Sequence, residues 1–202
     1  MVDYSIENEY REKGFNIICG VDEAGRGPLA GPVYAAAVIL PSGCVIEGLN
    51  DSKKLTEKKR EKLFDEIKEK ALAYGIASAD EKEIDEINIL NATFLAMKRA
   101  IDSLSVKPDL ALIDGNQRPH TDIEEVTVIK GDAKSMSIAA ASVLAKVSRD
   151  RFMLEMAEKY PQYEFARHKG YGTKLHYEKI AQYGVCDIHR RTFLKKILGE
   201  QK

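Results

Sequence analysis

Long apolar runs are what this sequence most clearly lacks. Its longest, residues 33–40, stops at Pro41, well short of the ~20 residues that a membrane helix needs. The N-terminal MVDYSIENEYREKG does not have the basic-then-apolar order of a signal peptide. No membrane association is expected, and a cytoplasmic address is. Cysteine is also scarce. Cys19, Cys44 and Cys186 are scattered, odd in number and without a CxxC pair, which excludes a disulfide framework and a zinc knuckle and leaves three reduced packing residues. Neither a low-complexity segment nor an internal repeat is visible. With 202 residues, 31% charged and 44% apolar, the chain reads as a folded domain rather than a disordered one, with monomer the default.

A strong net charge of one sign is absent too. The formal charge is −1, which by itself argues against a polyanionic partner, because phosphate binding draws on Lys and Arg. The average hides an asymmetry. From Lys146 onward there are 13 Lys or Arg against 7 Asp or Glu, whereas the preceding residues carry 18 against 25. A basic C-terminal surface is expected, with ordinary solvated helix faces as the alternative.

What is present is a pattern of short β-type runs and amphipathic helices. Residues 16–21, 33–40, 74–79, 109–113 and 125–129 read as strands bounded by Gly, Pro or charged residues. Between the third and fourth, residues 81–104 carry Ile84, Ile87, Asn91, Phe94, Met97, Ile101 and Leu104 at helical spacing, as one helix or two in succession. Residues 56–73 put Leu63, Phe64, Ile67 and Ala71 on one face, and 137–160 form a further helix stopped by Pro161. Two adjacent N-terminal strands predict an antiparallel pair and the later helices predict parallel crossovers, so the fold class is α/β with a mixed sheet covered by helices. The expected division is a core over 1–160 and a small helical cap over 161–202, with helices at 173–183 and 190–198.

Acids stand where apolar runs end. Residues 17–21 lead into Asp22-Glu23, residues 110–113 into Asp114, and residues 126–129 are followed two residues later by Asp132. Ligands of α/β sheets gather at the carboxyl ends of strands, so these four carboxylates can share one crevice. Crowded carboxylates repel one another unless a cation neutralises them. An all-oxygen set without Cys or His suits Mg²⁺ or Mn²⁺ better than zinc. Two such ions, about 3.5 to 4 Å apart, are the arrangement that activates water and stabilises a leaving oxygen in phosphodiester hydrolysis. Asp22 is then the bridging ligand, with Glu23, Asp114 and Asp132 completing the shells. The alternative at each position is a solvent-facing turn acid.

Gly25-Arg26-Gly27-Pro28-Leu29-Ala30 fits a loose GxGxxA pattern, but a pyrophosphate there would sit beside Asp22 and Glu23, and a strand follows where the phosphate-binding helix should begin. A loop without Cβ atoms at Gly25 and Gly27 lets backbone amides approach a substrate, with Arg26 free for a phosphate, or is simply a tight turn. The string from Arg167 to Thr173 mixes cations with Tyr171 between glycines, as a nucleic-acid contact does. His168, His176 and His189 are not at ligand spacing and are not expected to bind metal.

The stretches GVDEAGRGPLAGPV from Gly20, NDSKKL from Asn50, LIDGN from Leu112, KGDAKSMSIAAASVLAKVSRD from Lys130 and HKGYGT from His168 together resemble ribonuclease HII, the bacterial type 2 ribonuclease H, over nearly the whole chain. The resemblance implies a ribonuclease H-like fold with a five-stranded mixed sheet and a helical C-terminal segment. It implies Asp22, Glu23, Asp114 and Asp132 as the catalytic, metal-binding set. It implies that Gly25, Arg26 and Gly27 read a ribonucleotide's 2′-hydroxyl, that Tyr171 packs on the following deoxyribose, and that Ser52, Lys53 and Lys54 lie near the substrate backbone. The implied substrates are RNA/DNA hybrids and single ribonucleotides in duplex DNA, cut on the 5′ side to leave 3′-hydroxyl and 5′-phosphate ends, as in ribonucleotide excision repair. The 2′-hydroxyl is the group that separates RNA from DNA, so little sequence preference is expected. One stretch departs from the family pattern: Gly184-Val-Cys-Asp before Ile188-His189-Arg190 lacks the usual proline-containing lead-in. Competing readings are a DNA nuclease on the same fold, a hybrid-binding module without turnover, and a small-molecule phosphatase. The Gly25–Gly27 loop with Tyr171, the four acids, and the basic C-terminal surface speak against them in turn.

Overall fold

The computed structural model describes residues 2–199; residues 200–202 of the expected C-terminal cap lie outside them. Five strands, β1 (Ile18–Ala24), β2 (Val33–Ile39), β3 (Ala73–Ala79), β4 (Leu110–Asp114) and β5 (Glu124–Val128), form one sheet in the order β3-β2-β1-β4-β5. β1–β2 and β2–β3 are antiparallel, while β1–β4 and β4–β5 are parallel. This is the mixed five-stranded sheet that the sequence and the resemblance both imply.

Among the described residues seven α-helices surround it: α1 (Ser5–Glu12), α2 (Glu57–Lys70), α3 (Glu81–Asp102), α4 (Met136–Lys159), the one-turn α5 (Phe165–His168), α6 (Lys174–Tyr183) and α7 (Arg191–Leu198). Their starts follow side-chain chemistry. Thr56 accepts from the Lys59 amide, Ser135 from that of Ile138, and Asp80 with Glu83 makes a reciprocal capping box. α3 is two helices in succession. Asn88 sits at φ 68° and ψ 164°, far from helical values, and its Oδ1 recaps the second half by accepting from the amides of Leu90 (3.0 Å) and Asn91 (3.2 Å). α1 is absent from the sequence expectation because only Ile6 and Tyr10 mark an apolar face. It is held instead by a polar contact: buried Glu7 Oε1 accepts from Ser135 Oγ (2.6 Å) and from the amide (3.0 Å) and hydroxyl (2.7 Å) of Ser137.

The sheet's faces are divided by parity. Cys19 and Val21 of β1 and Ala111 and Ile113 of β4 pack against α3 with Ala92, Ala96 and Met97. The alternate residues Leu110 and Leu112 meet Ile138 of α4, and Ala36 and Val38 of β2 pack against α4 and the Leu63, Phe64 and Ile67 face of α2. α4 lies close on β1 because Gly20 has no side chain. A Cβ there would come within 2.2 Å of the backbone at Ser137 and Ile138. Two element ends differ from expectation by three residues. β1 continues through Ala24 because β2 keeps pairing with it, Asp22 facing Ala36 and Glu23 facing Ala35, so these acids lie within the strand rather than after it. α2 ends at Lys70 because the Leu72 amide already bonds the Ile39 carbonyl (2.9 Å) on the way into β3.

The C-terminal helices close over one end of the sheet. Leu29 packs with Ile180 and Leu194, and Ala30 with Met153, Tyr163, Phe165 and Ile188. The proline-free lead-in is anchored by polar contacts: Tyr163 donates to the Gly184 carbonyl (2.9 Å), the Cys186 amide to His189 Nδ1 (2.9 Å), and the Gly31 amide to the Ile188 carbonyl (2.8 Å). The three histidines are buried together, with His168 and His176 stacked at 4.3 Å and His176 Nε2 3.1 Å from His189 Nε2. No disulfide forms among the described residues, and no helix among them is long and apolar enough to cross a membrane.

Candidate active site

Strand register assembles the acids. In the parallel β1–β4 pair Val21 faces Ile113, so Asp22 and Asp114, each the next residue along, are neighbours on the same face at a strand spacing of about 4.8 Å. Asp132 arrives from the turn after β5, where Lys130 at φ 57° reverses the chain. Asp114 Oδ1 fastens that turn by accepting from the amides of Gly131 (2.7 Å) and Asp132 (3.3 Å). Carboxylate oxygens of Asp22, Asp114 and Asp132 all lie within 4.8 Å of one another. Asp22 and Asp132 are buried, at 4% and 6% exposure.

Glu23 points to the other face of β1, as neighbours in a strand must. It lines a small hollow with Leu90, Thr93, Phe94 and Asn116 beside Asp114, and its Oε1 is 3.5 Å from Arg26 Nη1. Three of the four expected acids therefore converge directly, and the fourth flanks them from across the strand.

The electrostatics of this cluster are those of crowded anions. Burial, then the charges of Glu23 and Asp114, hold the Asp22 carboxyl well above the ordinary carboxylate range. Burial, with Asp114 adding to it, raises Glu23 against the opposing pull of Arg26. Burial and then Asp132 raise Asp114. Burial alone would lower Lys53, but Asp22, Asp132 and Asp51 together raise it. Its Nζ stands 3.4 Å from Asp132 Oδ2. An oxygen-only cluster of this size and charge fits a hard divalent cation.

A cleft of about 240 Å³ opens beside the acids, lined by Glu23, Gly25, Arg26, Lys53, Lys146 and Tyr171 among others. It gathers most of the substrate residues expected from sequence. Ser52 is buried there, its Oγ 2.7 Å from that of Ser142. Gly27 and Lys54 are not part of this lining; Lys54 Nζ is directed toward Asp51 at 3.9 Å. The turn bearing Ser52–Lys54 is held by Arg60, whose Nη1 donates to the carbonyls of Ser52 (3.1 Å) and Leu55 (2.6 Å).

Sequence reasoning missed Ser142, Lys146, Arg149, Asp150 and Arg190. Ser142 and Lys146 were traceable, since polar residues four apart interrupt a largely apolar stretch of α4 and line the cleft. Two of the thirteen basic residues credited to a C-terminal surface are not surface groups at all: Arg149 and Arg190 are fully buried.

The family model described as Ribonuclease HII matches residues 19–196. The ribonuclease HII of Caldicellulosiruptor bescii is 58% identical over 196 residues, 97% of this chain and 95% of that protein. Among solved structures, ribonuclease H2 from Pyrococcus horikoshii OT3 superposes with a TM-score of 0.75 at 30% identity, covering 92% of this chain and 97% of that one. Bst-RNase HIII in complex with Mn²⁺ shares the fold, with a TM-score of 0.64 at 18% identity over 83% of this chain and 63% of that one. Strand order, acid cluster and relatives agree, and the chain belongs to the ribonuclease HII family, metal-dependent endoribonucleases acting on RNA paired with DNA.

Proposed function

We propose that this enzyme cuts both RNA/DNA hybrids and duplex DNA at single embedded ribonucleotides, on the 5′ side, leaving 3′-hydroxyl and 5′-phosphate ends. The observation that carries the reading is the meeting of Asp22, Asp114 and Asp132 oxygens within 4.8 Å. Separate elements deliver them, and their mutual repulsion calls for cations.

Asp22, Asp114 and Asp132, with Glu23 as the fourth ligand, would hold two ions. Mg²⁺ and Mn²⁺ are the candidates, the latter being the ion of the Bst-RNase HIII complex. Bound there, paired ions supply an activated water and neutralise charge on the leaving 3′-oxygen. The rest is done by the chain. Gly25 and Gly27 leave backbone groups bare for the 2′-hydroxyl, which is recognised without reading a base. Arg26, Lys53 and Lys54 supply cations for the backbone phosphates, and Ser52 orders the turn that carries the lysines. Tyr171, 42% exposed at the rim, offers its ring to the next sugar. Residues 161–202 act as a cap contributing that platform to the core over 1–160. We place the enzyme in the cytoplasm as a monomer serving ribonucleotide excision; the unpaired state of all three cysteines supports a reducing compartment.

The test is a duplex carrying one ribonucleotide beside an all-DNA control, with Mn²⁺ and with chelator. Cutting confined to the ribonucleotide strand and abolished by chelation is expected. Equal cutting of the control would favour a DNA nuclease on this fold, and cutting that survives chelation would end the metal assignment.

A further inference from the structure

Two loops flank the cleft, residues 25–32 and residues 168–171, and one buried side chain binds both. Arg149 of α4 is 1% exposed. Its Nε donates to the Pro32 carbonyl (3.3 Å), and Nη2 donates to Ala30 (3.1 Å) on the first loop and to Lys169 (3.0 Å) on the second. Its guanidinium carbon lies 5.6 Å from the centre of the Tyr171 ring, within cation–π range.

The glycines on either side fit this arrangement. A Cβ on Gly25 would fall 2.1 Å from Arg149 Nε, so the loop lies flush on the arginine stem. Gly170, at φ 83°, accepts through its carbonyl from the Leu29 amide (2.8 Å), and a Cβ on it would come within 2.6 Å of the Ala30 carbonyl oxygen. The two loops thus touch backbone to backbone.

The contacts of Arg149 are those of a bridge between the two loops. All its bonds go to peptide carbonyls, and its Nη1 is buried with no partner among the described residues. That unmet donor offsets part of what the three bonds contribute, and their common effect is to tie two separate loops to one side chain.

We infer that Arg149 is a positioning residue that sets the spacing between the Gly25–Gly27 loop and the Tyr171 ring, and so determines whether a ribose and the sugar after it are engaged together. The inference rests on the proposed reading of that loop and that tyrosine. Arg149 touches neither sugar. It acts through the two groups that do, and the planar fork that spans both loops is a geometry Lys cannot reproduce.

The experiment is a double-mutant cycle on the full chain, with Arg149→Lys, Tyr171→Ala and the pair, measuring kcat/KM on a duplex with one embedded ribonucleotide and Mn²⁺ affinity by calorimetry. Since misplacement by about 1 Å can cost ~100-fold, we expect Arg149→Lys to lose at least ~10-fold with Mn²⁺ affinity unchanged, and to add less than ~3-fold on top of Tyr171→Ala. A loss of active protein would instead multiply in the double variant. Full multiplication, or wild-type activity of Arg149→Lys, overturns the inference. Should Arg149→Lys fail to bind Mn²⁺ or to fold, Gly170→Ala separates the loops without touching Arg149 and is expected to show the same loss; wild-type cleavage by Gly170→Ala overturns it equally. If the parent enzyme does not prefer the ribonucleotide duplex to all-DNA, the functional reading fails instead, and the two failures are distinguishable.

Discussion

Arg190 Nη2 donates to the carbonyl of Gly25 at 2.6 Å, a bond between residues 165 positions apart. The same guanidinium donates from Nη1 to Arg26 (2.9 Å) and Pro28 (2.8 Å) and from Nε to Gly31 (2.8 Å). A rigid fork of donors matches an arc of four carbonyls. The loop beside the acids owes its shape to the C-terminal segment, which lies on it through the Ala30–His189 bridge.

Arg190→Met is expected to destabilise the protein by about 3 kcal/mol or more, because charge-assisted bonds of ~1.5–3 kcal/mol each are lost and several buried carbonyls are left unmet. Urea unfolding of both proteins checks this. A change below about 1 kcal/mol would mean the loop holds its own shape.

Asp114→Asn removes one of the three converging charges but keeps an oxygen to accept from the Gly131 amide. Metal-dependent cleavage should disappear while hybrid binding in chelator stays within about threefold of wild type, a difference of ~0.6 kcal/mol. The metal-free variant should also melt a few degrees higher, since about 1 kcal/mol is worth ~2–4 °C in a chain of this size. Unchanged cleavage would remove Asp114 from the site.

Mn²⁺ should stabilise the protein more as pH rises. The carboxyls of Asp22, Glu23 and Asp114 are raised above their ordinary range, chiefly by burial and then by neighbouring acids. An acid with a raised folded pKa contributes stability when protonated and loses it as pH climbs through that value. The metal-free cluster is therefore increasingly strained above about pH 4, and cations that displace those protons relieve it. The melting-temperature gain on adding Mn²⁺, measured across pH 5 to 8, checks the sign. A gain that shrinks with pH contradicts it.

The histidine stack titrates in the opposite sense. Burial pushes His176 and His189 down to about 4, with neighbouring histidines adding to it. A histidine with a depressed folded pKa stabilises fully above its ordinary value near 6.5 and progressively less as pH falls toward 4. Metal-free thermal unfolding should show that loss between these limits. His189→Asn should flatten it, and an unaltered slope would place the effect elsewhere.

Gly20→Ala tests the helix contact beneath Asp22. Its Cβ would meet backbone atoms of Ser137 and Ile138 rather than a flexible side chain, so α4 must move off β1. Overpacking of this kind costs about 1–3 kcal/mol, and cleavage should fall with it, since α4 also carries Ser142 and Lys146 into the cleft. Calorimetric melting with a parallel assay checks both effects.

The residues by themselves determined the sheet, most of its helices and the acids. Apolar runs broken by Gly, Pro and charge are local signals with a period of two or three to four, and Asp22, Asp114 and Asp132 adjoin three of them. The sequence left residues 81–104 open as one helix or two, and the backbone at Asn88 decided for two. Only the tertiary structure decided that β1 runs on through Glu23, because that depends on pairing with β2, and that Glu23 faces α3 while Asp22 faces α4. It alone revealed Arg149 and Arg190 as interior residues. In sequence a lysine-rich tail and a buried arginine look alike; what separates them is whether peptide carbonyls from distant loops converge on the guanidinium, and that convergence exists only once the chain has closed on itself.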